Sequence, residues 1–116
     1  MIHKIVNQIY CINLKKRVDR KNKFLSNMEI LNIPPQSVKI TEAVDATQLS
    51  TLPKEFQAGW PHYTAGAYGC ALSHINVIKD AKKNNFETIL IFEDDVTFVP
   101  DFNNKFSLFY NNLPNN

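Results

Sequence analysis

Three carboxylates stand together at residues 93–95, as Glu93, Asp94 and Asp95, directly after the apolar run at 89–92. Carboxylate oxygens are the ligands that Mg²⁺ and Mn²⁺ prefer, commonly beside a substrate phosphate. If the chain stays extended here, Glu93 and Asp95 share one side and form a metal site, while Asp94 faces the other side and is free for another contact, as a substrate-binding residue. The alternative is a solvated acidic turn that closes a hairpin with residues 96–99, and the triplet alone favours neither.

A second group of polar residues lies early in the chain. Asn13 follows an apolar stretch, and Arg17 and Arg20 stand three residues apart at the start of a predicted helix. Two arginines so spaced can both donate to phosphate oxygens, and the helix N-terminus adds free N–H groups. For the arginines, the alternative is a solvated basic helix face. Asn13 could contact a nucleobase, or it could cap the turn that follows it.

The middle of the chain adds further candidates for binding. Asp45 follows the second predicted strand and could accept from a ribose hydroxyl or cap a turn. Gly69, like Gly66, would permit close backbone approach at a helix start. Ser73 and His74 follow in the first turns of that helix, where His74 has either a hydrogen-bonded structural role or a role at the donor site.

The periodicity predicts the elements that must position these groups. We expect strands at 8–13, 38–40 and 88–93, the last buried on both faces. We expect helices at 17–32, with Val18 on its apolar face, and at 66–84, with Leu72, Ile75, Ile78 and Ala81 on its apolar face. A third helix begins near residue 101, and an irregular loop at 46–66 carries Trp60 and Tyr63, which could stack on a sugar or base. This order predicts an α/β fold with a mostly parallel sheet flanked by helices. The carboxyl ends of the first and third strands should then bring the basic and acidic groups together.

Composition bounds the function further. The 116 residues suffice for a single domain over 1–116, with a polar tail at 111–116. The net charge of +2 divides into +6 for residues 1–40 and −4 for residues 41–116, which suits an anionic, metal-bound ligand better than a nucleic acid. No apolar run has the length of a membrane span, and the N-terminus lacks the apolar core of a signal peptide. Cys11 and Cys70 are too few and too far apart for a disulfide scaffold or a Cys-based zinc site, so we expect buried free thiols and a cytoplasmic setting.

Taken together, three motifs resemble glycosyltransferase family 25, which includes bacterial lipooligosaccharide galactosyltransferases and collagen hydroxylysine galactosyltransferases. They are Ile-Asn-Leu-x-x-Arg-x-x-Arg from residue 12, Gly-x-x-Gly-Cys-x-x-Ser-His from residue 66, and Glu-Asp-Asp from residue 93. The segment at 43–46 is similar to the family's Ala-Val-Asp-Gly element, with Ala46 in place of glycine. The resemblance covers residues 6–100.

This resemblance implies a GT-A-like (Rossmann-like) fold, a UDP-sugar donor and a divalent metal, usually Mn²⁺ with Mg²⁺ as the alternative, at the acidic triplet. It implies transfer of a hexose, galactose first, to a glycan or protein hydroxyl, as in lipopolysaccharide biosynthesis. Family members have a longer catalytic domain, so we expect this chain to be the incomplete donor-binding part, and the general base is not assigned. A nucleotide-sugar and metal-binding module without transferase activity is the alternative. The aromatic face at 102–110 would then fold back on the sheet, pair with a second polypeptide or self-associate.

Overall fold

The computed structural model describes residues 2–54 and 64–114, and it divides them into four α-helices and three β-strands. In chain order these are α1 (Ile2–Ile5), β1 (Gln8–Asn13), α2 (Val18–Ile30), β2 (Val38–Glu42), α3 (Ala65–Lys83), β3 (Ile89–Glu93) and α4 (Phe102–Asn111). Short 3₁₀ helices precede and follow β2, at Pro35–Ser37 and Ala46–Gln48. The predicted elements are therefore present within about three residues of their expected ends, and only α1 was not anticipated.

The sheet has three strands in the order β2-β1-β3, and both pairings are parallel. The central strand β1 is buried along almost its whole length, whereas β3 is only half-buried over residues 89–91. The expectation that β3 is buried on both faces is therefore wrong, because β3 lies at an edge of the sheet and β1 takes the central position. The α/β, Rossmann-like class predicted from the sequence is confirmed.

Helices cover both faces of the sheet, as the alternation of side chains along β1 requires. Ile9 and Cys11 face a cluster that includes Phe24 and Met28 of α2, and the aromatic residues of α4 pack against it. Tyr10 and Ile12 point the other way, into a smaller cluster with Val77 and Ala81 of α3. The two core layers thus fix α2 and α4 on one face and α3 on the other.

The two long helices end in the same way. Asn32 and Asn85 each adopt a left-handed conformation, with φ of 57°, just after α2 and α3. Next to them, the N–H groups of Ile33 and Phe86 donate back to the carbonyls of Met28 and Ala81. These bonds satisfy carbonyls that a helix end leaves free, and asparagine tolerates the conformation. Helix α2 therefore ends at this motif, ahead of the Pro34–Pro35 pair.

Several apolar side chains do not lie where helical periodicity places them. The predicted stripe on α3 is wrong for Ile75 and Ile78, which are 45% and 57% exposed, and Val18 of α2 is 57% exposed. The buried stripe of α3 instead contains the small residues Gly69 and Ser73, with Val77 and Ala81. Small residues allow this face of α3 to lie close to its neighbours. Close backbone packing, and not hydrophobicity, therefore decides which face of α3 is buried.

Helix α4 folds back onto the domain. Phe102, Phe106 and Tyr110 pack against the larger core cluster, in a chain of aromatic contacts that continues to Phe98 and Phe92. Phe109 remains 62% exposed, contrary to its expected place on the packed face. Of the three alternatives for residues 102–110, packing on the chain's own core is the one observed. Asn111, counted with the polar tail, is the last residue of α4.

Among the helices of residues 2–54 and 64–114, none combines the length and apolar character needed to cross a bilayer.

Candidate functional site

The basic and acidic groups meet at the carboxyl edge of the sheet, as the topology predicted. β1 and β3 are adjacent, with Ile12 opposite Glu93, so Asn13 lies beside the start of the acidic turn. The Asn13 side chain, 4% exposed, donates from Nδ2 to Asp94 Oδ2 at 2.7 Å and to the Arg17 carbonyl at 3.1 Å. Asn13 therefore ties the basic loop after β1 to the acids after β3.

The strand ends at Glu93 as predicted, but the chain does not stay extended. Asp94 and Asp95 form a turn, in which the N–H of Val96 lies 3.3 Å from the carbonyl of Glu93. The simple alternation that set Glu93 and Asp95 on one side is therefore not met. The hairpin alternative is also wrong, because residues 96–99 form no strand.

The three carboxylates have different surroundings. Asp94 is enclosed: its side chain is 9% exposed, accepts from Asn13 and lies 3.6 Å from the guanidinium of Arg20. Glu93 is exposed, and the thiol of Cys70 donates to its Oε1 at 3.2 Å, while His74 Nε2 lies 3.4 Å from the same oxygen. Asp95 is exposed and has no hydrogen bond or ion pair with any described residue. Among the described residues, therefore, nothing competes with a bound ligand for its oxygens.

The contacts of Glu93 change two pKa values. The hydrogen bond from Cys70, and next that from His74, hold the pKa of Glu93 below its usual value. The same bond, with burial as the second cause, raises the pKa of the Cys70 thiol. The expectation that Cys70 is buried is wrong, since its side chain is exposed beside the acids. Cys11, in contrast, is buried as expected, and burial raises its pKa to about 12.

Two cavities flank the acidic turn. One, of about 240 Å³, lies between the turn, the start of α3 and the loop at 43–47 after β2. The other, of about 230 Å³, lies on the basic side, against Arg17 and Lys23. Arg20, Asp94 and Asp95 line both cavities. A group bound at Asp95 would therefore lie at the boundary between the two cavities.

The loop after β2 forms one wall of the first cavity. Asp45 caps the 3₁₀ turn that follows it: its Oδ1 accepts from the N–H of Thr47 at 3.1 Å and from the Thr47 hydroxyl at 2.6 Å. Its other oxygen pairs with Lys16 at 3.2 Å. These bonds, that from the Thr47 hydroxyl first, hold the pKa of Asp45 below its usual value. The cap is the alternative that the sequence left open for Asp45, and a contact with ribose stays a prediction.

Helix α3 presses directly on this wall. A Cβ at Gly69 would lie 2.6 Å from the Val44 carbonyl oxygen, closer than such atoms approach, whereas one at Gly66 would meet its nearest atom at 3.7 Å. Ser73 is 3% exposed, donates to the Gly69 carbonyl and accepts from the N–H of Val44 at 2.8 Å. The close approach predicted for the glycines is thus present at Gly69. Both residues shape the cavity wall, and direct contact of either with a substrate stays a prediction.

Arg17 is also engaged by a neighbouring residue. Its guanidinium forms a two-bond pair with Asp19, at 2.9 and 3.0 Å. The hydrogen bond from Arg17 is the first cause that lowers the pKa of Asp19 to about 2. The side chains of both arginines are 38% exposed, but Arg20 has only a 3.6 Å ion pair with Asp94, so it is the better placed of the two for an added anion. Trp60 and Tyr63 lie outside the described residues.

Sequence reasoning missed two residues of this site. Lys16 pairs with Asp45, and Cys70 contacts Glu93. The signal for Cys70 was its position four residues before His74, which places both side chains on one face of α3. Apolar neighbours in the sequence concealed it, because they made Cys70 resemble a core residue.

Comparison with known proteins adds the family. The family model described as glycosyltransferase family 25 (LPS biosynthesis protein) matches residues 6–116. The chain belongs to glycosyltransferase family 25. Over 118 residues it is 36% identical to procollagen galactosyltransferase 2 of Homo sapiens, and this match covers 92% of the chain and 18% of the human protein. A glycosyltransferase 25 family member of Aedes aegypti is 34% identical over 111 residues, 86% of the chain and 18% of that protein. Procollagen galactosyltransferase 2 of Mus musculus is 36% identical over 113 residues, 85% of the chain and 17% of that protein. The chain thus spans about a fifth of the length of these relatives.

Proposed function

We propose that this chain provides the donor site of a metal-dependent glycosyltransferase that moves a hexose from a UDP-sugar to a hydroxyl group of a glycan or protein. The observation that carries the proposal is the arrangement around Asp95. A carboxylate without a partner among the described residues lies between two cavities, next to Arg20 and one residue beyond the enclosed Asp94. The name of the human relative, a procollagen galactosyltransferase, supports galactose as the sugar.

The donor set fits a hard divalent cation. Glu93 and Asp95 both offer exposed carboxylate oxygens at one sheet edge, and oxygen ligands suit Mn²⁺ and Mg²⁺. We assign these two residues as the ligands and take Mn²⁺ as the first candidate, with Mg²⁺ as the second. When bound, the metal supplies positive charge that offsets the charge of the leaving diphosphate.

The remaining residues bind and orient the donor. Arg20 donates to a phosphate oxygen from the wall that both cavities share, and its guanidinium has the two-donor geometry that phosphate favours. Asp45 lies across the first cavity, where it can accept from a sugar hydroxyl. Asn13 holds Asp94 and so fixes the turn from which Asp95 projects. Arg17, Gly69, Ser73 and His74 complete the proposed donor-binding set.

The support for the proposed acceptor comes from the family and not from this site. Transfer to a glycan, as in lipopolysaccharide biosynthesis, and transfer to a collagen-type hydroxyl both fit the comparisons. A cytoplasmic, reducing setting suits the exposed free thiol of Cys70. If the chain alone binds the donor but does not transfer the sugar, we propose that transfer requires a second polypeptide or a second copy of this chain.

The test is UDP binding by calorimetry, with and without Mn²⁺, in the wild type and in Asp95→Asn. We expect Mn²⁺ to strengthen UDP binding by the wild type and to have no effect on the variant. Because Asp95 is exposed and makes no hydrogen bond with the described residues, its replacement should change the free energy of unfolding by less than about 0.5 kcal/mol. Unchanged UDP affinity of Asp95→Asn at saturating Mn²⁺ would show that Asp95 is not a ligand.

Asp101→Asn is the matched control. It removes the same charge from a residue that lines neither cavity, and asparagine tolerates the positive φ of 60° found there. This variant should keep the Mn²⁺ dependence of the wild type. A parallel assay with UDP-galactose and an acceptor separates a complete transferase from a module that binds the donor only.

A further inference from the structure

A second set of donors adjoins the proposed metal site, and its chemistry differs. Cys70 and His74 lie one turn apart on α3, and both contact Oε1 of Glu93 at the end of β3. The three donor atoms, one sulfur, one nitrogen and one oxygen, lie within 4.8 Å of one another. No other residue pair of the described chain joins a thiol and an imidazole to a carboxylate in this way.

From this geometry we infer that Cys70, His74 and Glu93 form a binding site for Zn²⁺. Tetrahedral zinc with bonds of about 2.0–2.3 Å places its ligand atoms roughly 3.3–3.6 Å apart. The His74 Nε2 to Glu93 Oε1 distance of 3.4 Å lies within this range, and the Cys70 Sγ to Glu93 Oε1 distance of 3.2 Å lies just below it, so two edges of such a site are nearly formed. The third edge, from sulfur to nitrogen, is at most 4.8 Å, so zinc binding requires these two atoms to come closer.

The donor set selects the metal. Thiolate and imidazole ligands favour Zn²⁺, whereas Mn²⁺ and Mg²⁺ take oxygen ligands and bind more weakly to a site of this kind. Three protein ligands leave a fourth position for water, the arrangement of open zinc sites. Counting cysteines did not reveal the site, since only one of its ligands is a cysteine.

The shared residue gives the site a consequence. Glu93 belongs both to this set and to the proposed Mn²⁺ ligands, so Zn²⁺ held by Cys70 and His74 removes Glu93 from the donor metal. Zn²⁺ should therefore weaken Mn²⁺-dependent UDP binding. This consequence rests on the proposed function, whereas zinc binding itself does not.

Cobalt is the probe for binding, because Co²⁺ occupies zinc sites and a Co²⁺–thiolate bond gives a charge-transfer band in the near ultraviolet. We expect wild-type protein titrated with Co²⁺ to develop this band, and Zn²⁺ to remove it stoichiometrically. Cys70→Ser, which keeps a hydroxyl to donate to Glu93, should lose the band. Loss of a residue that only hydrogen-bonds to a metal ligand typically weakens metal binding by roughly 10–100-fold. Because Cys70 would be a direct ligand, Cys70→Ser should weaken Zn²⁺ binding by more than this.

Cys11→Ala is the matched control, since it removes the other thiol, which is fully buried. It should keep the band. If that variant does not fold, alkylation of the native protein serves instead, because it modifies the exposed Cys70 and spares Cys11.

Absence of the band at saturating Co²⁺, or its persistence in Cys70→Ser, would overturn the inference and show that the three groups are only hydrogen-bonded. Calorimetry with UDP and Mn²⁺ tests the proposed function separately. A protein that shows the cobalt band but binds no UDP would refute the proposed function and leave the zinc site standing. Mn²⁺-dependent UDP binding without the band would do the reverse.

Discussion

Replacing Gly69 with alanine should destabilise the protein, although alanine is the better helix former. The added Cβ would lie 2.6 Å from the Val44 carbonyl oxygen and 3.3 Å from the Cβ of Ala46. A tolerable carbon–oxygen contact is about 3.3 Å, so α3 and the loop must separate by roughly 0.7 Å. Such overpacking costs about 1–3 kcal/mol, and the strained Ser73 to Val44 hydrogen bond contributes about 1 kcal/mol more. Against this, the change from glycine to alanine gains about 1 kcal/mol in the helix, so a net loss of about 1–3 kcal/mol is expected.

Gly66→Ala is the internal comparison, because its Cβ would have an ordinary contact at 3.7 Å. Within the same helix it should leave stability unchanged or raise it by up to about 1 kcal/mol. Denaturant unfolding of the two variants measures the contrast directly. UDP affinity should fall in Gly69→Ala, since Val44, Asp45 and Ala46 line the first cavity. Gly66 lines the same cavity, so Gly66→Ala is the comparison for stability alone. Equal stability of the two variants would refute the close-approach argument.

Two further predictions concern β1 and α2. The Tyr10 hydroxyl donates to Asp80 at 2.7 Å, and burial, followed by that bond, raises its pKa to about 12 from 10.0. The bond therefore stabilises the folded state fully below pH 10 and loses its effect as the pH rises towards 12. Tyr10→Phe should lower the free energy of unfolding by about 1 kcal/mol below pH 10, and denaturant unfolding should show this loss shrinking between pH 10 and pH 12. A deficit independent of pH would contradict this reasoning. Arg20→Ala should weaken UDP more than uridine by about 1.5–3 kcal/mol in calorimetry, because the lost contact is to phosphate. Lys21→Ala removes the same charge from an exposed residue of the same helix and should change the affinity for neither ligand. If Arg20→Ala weakened UDP and uridine equally, Arg20 would not contact the phosphate.

The topology was predictable because it rests on strong local signals. The apolar runs of β1 and β3 end in Asn13 and Glu93, which cannot continue into the interior unpaired, and the intervening helical patterns require crossovers. Parallel strands then place both ends at one edge, which is why the approach of Asn13 to the acids followed from sequence alone. Helix α1 was missed, since four residues give too short a pattern to recognise.

Burial on the helices was less predictable, because hydrophobicity and proximity disagree there. A prediction from hydrophobicity places Ile75 and Ile78 in the core, but both are exposed. The same prediction places Ser73 on the surface, but Ser73 is buried. The decisive contact is the approach of Gly69 to the Val44 carbonyl, which depends on residues 25 positions away in the chain. A single sequence carries no signal for such a pairing, and the same reason concealed the exposure of Cys70.

The turn after β3 explains how three adjacent acids can serve different purposes. Three neighbouring anions repel one another, and the fold relieves this by giving each a separate environment. Asp94 is enclosed by the Asn13 amide and the Arg20 guanidinium, so it acts as an anchor for the turn. Glu93 accepts from the side chains of α3, which leaves Asp95 as the carboxylate with no such contact among the described residues. A hard cation at the proposed site would therefore meet no competing partner at Asp95 among the described residues, whereas it would obtain Glu93 only by competing with Cys70 and His74. The proposed affinity for a hard cation and the proposed sensitivity to a thiolate-binding one would thus both arise from this turn.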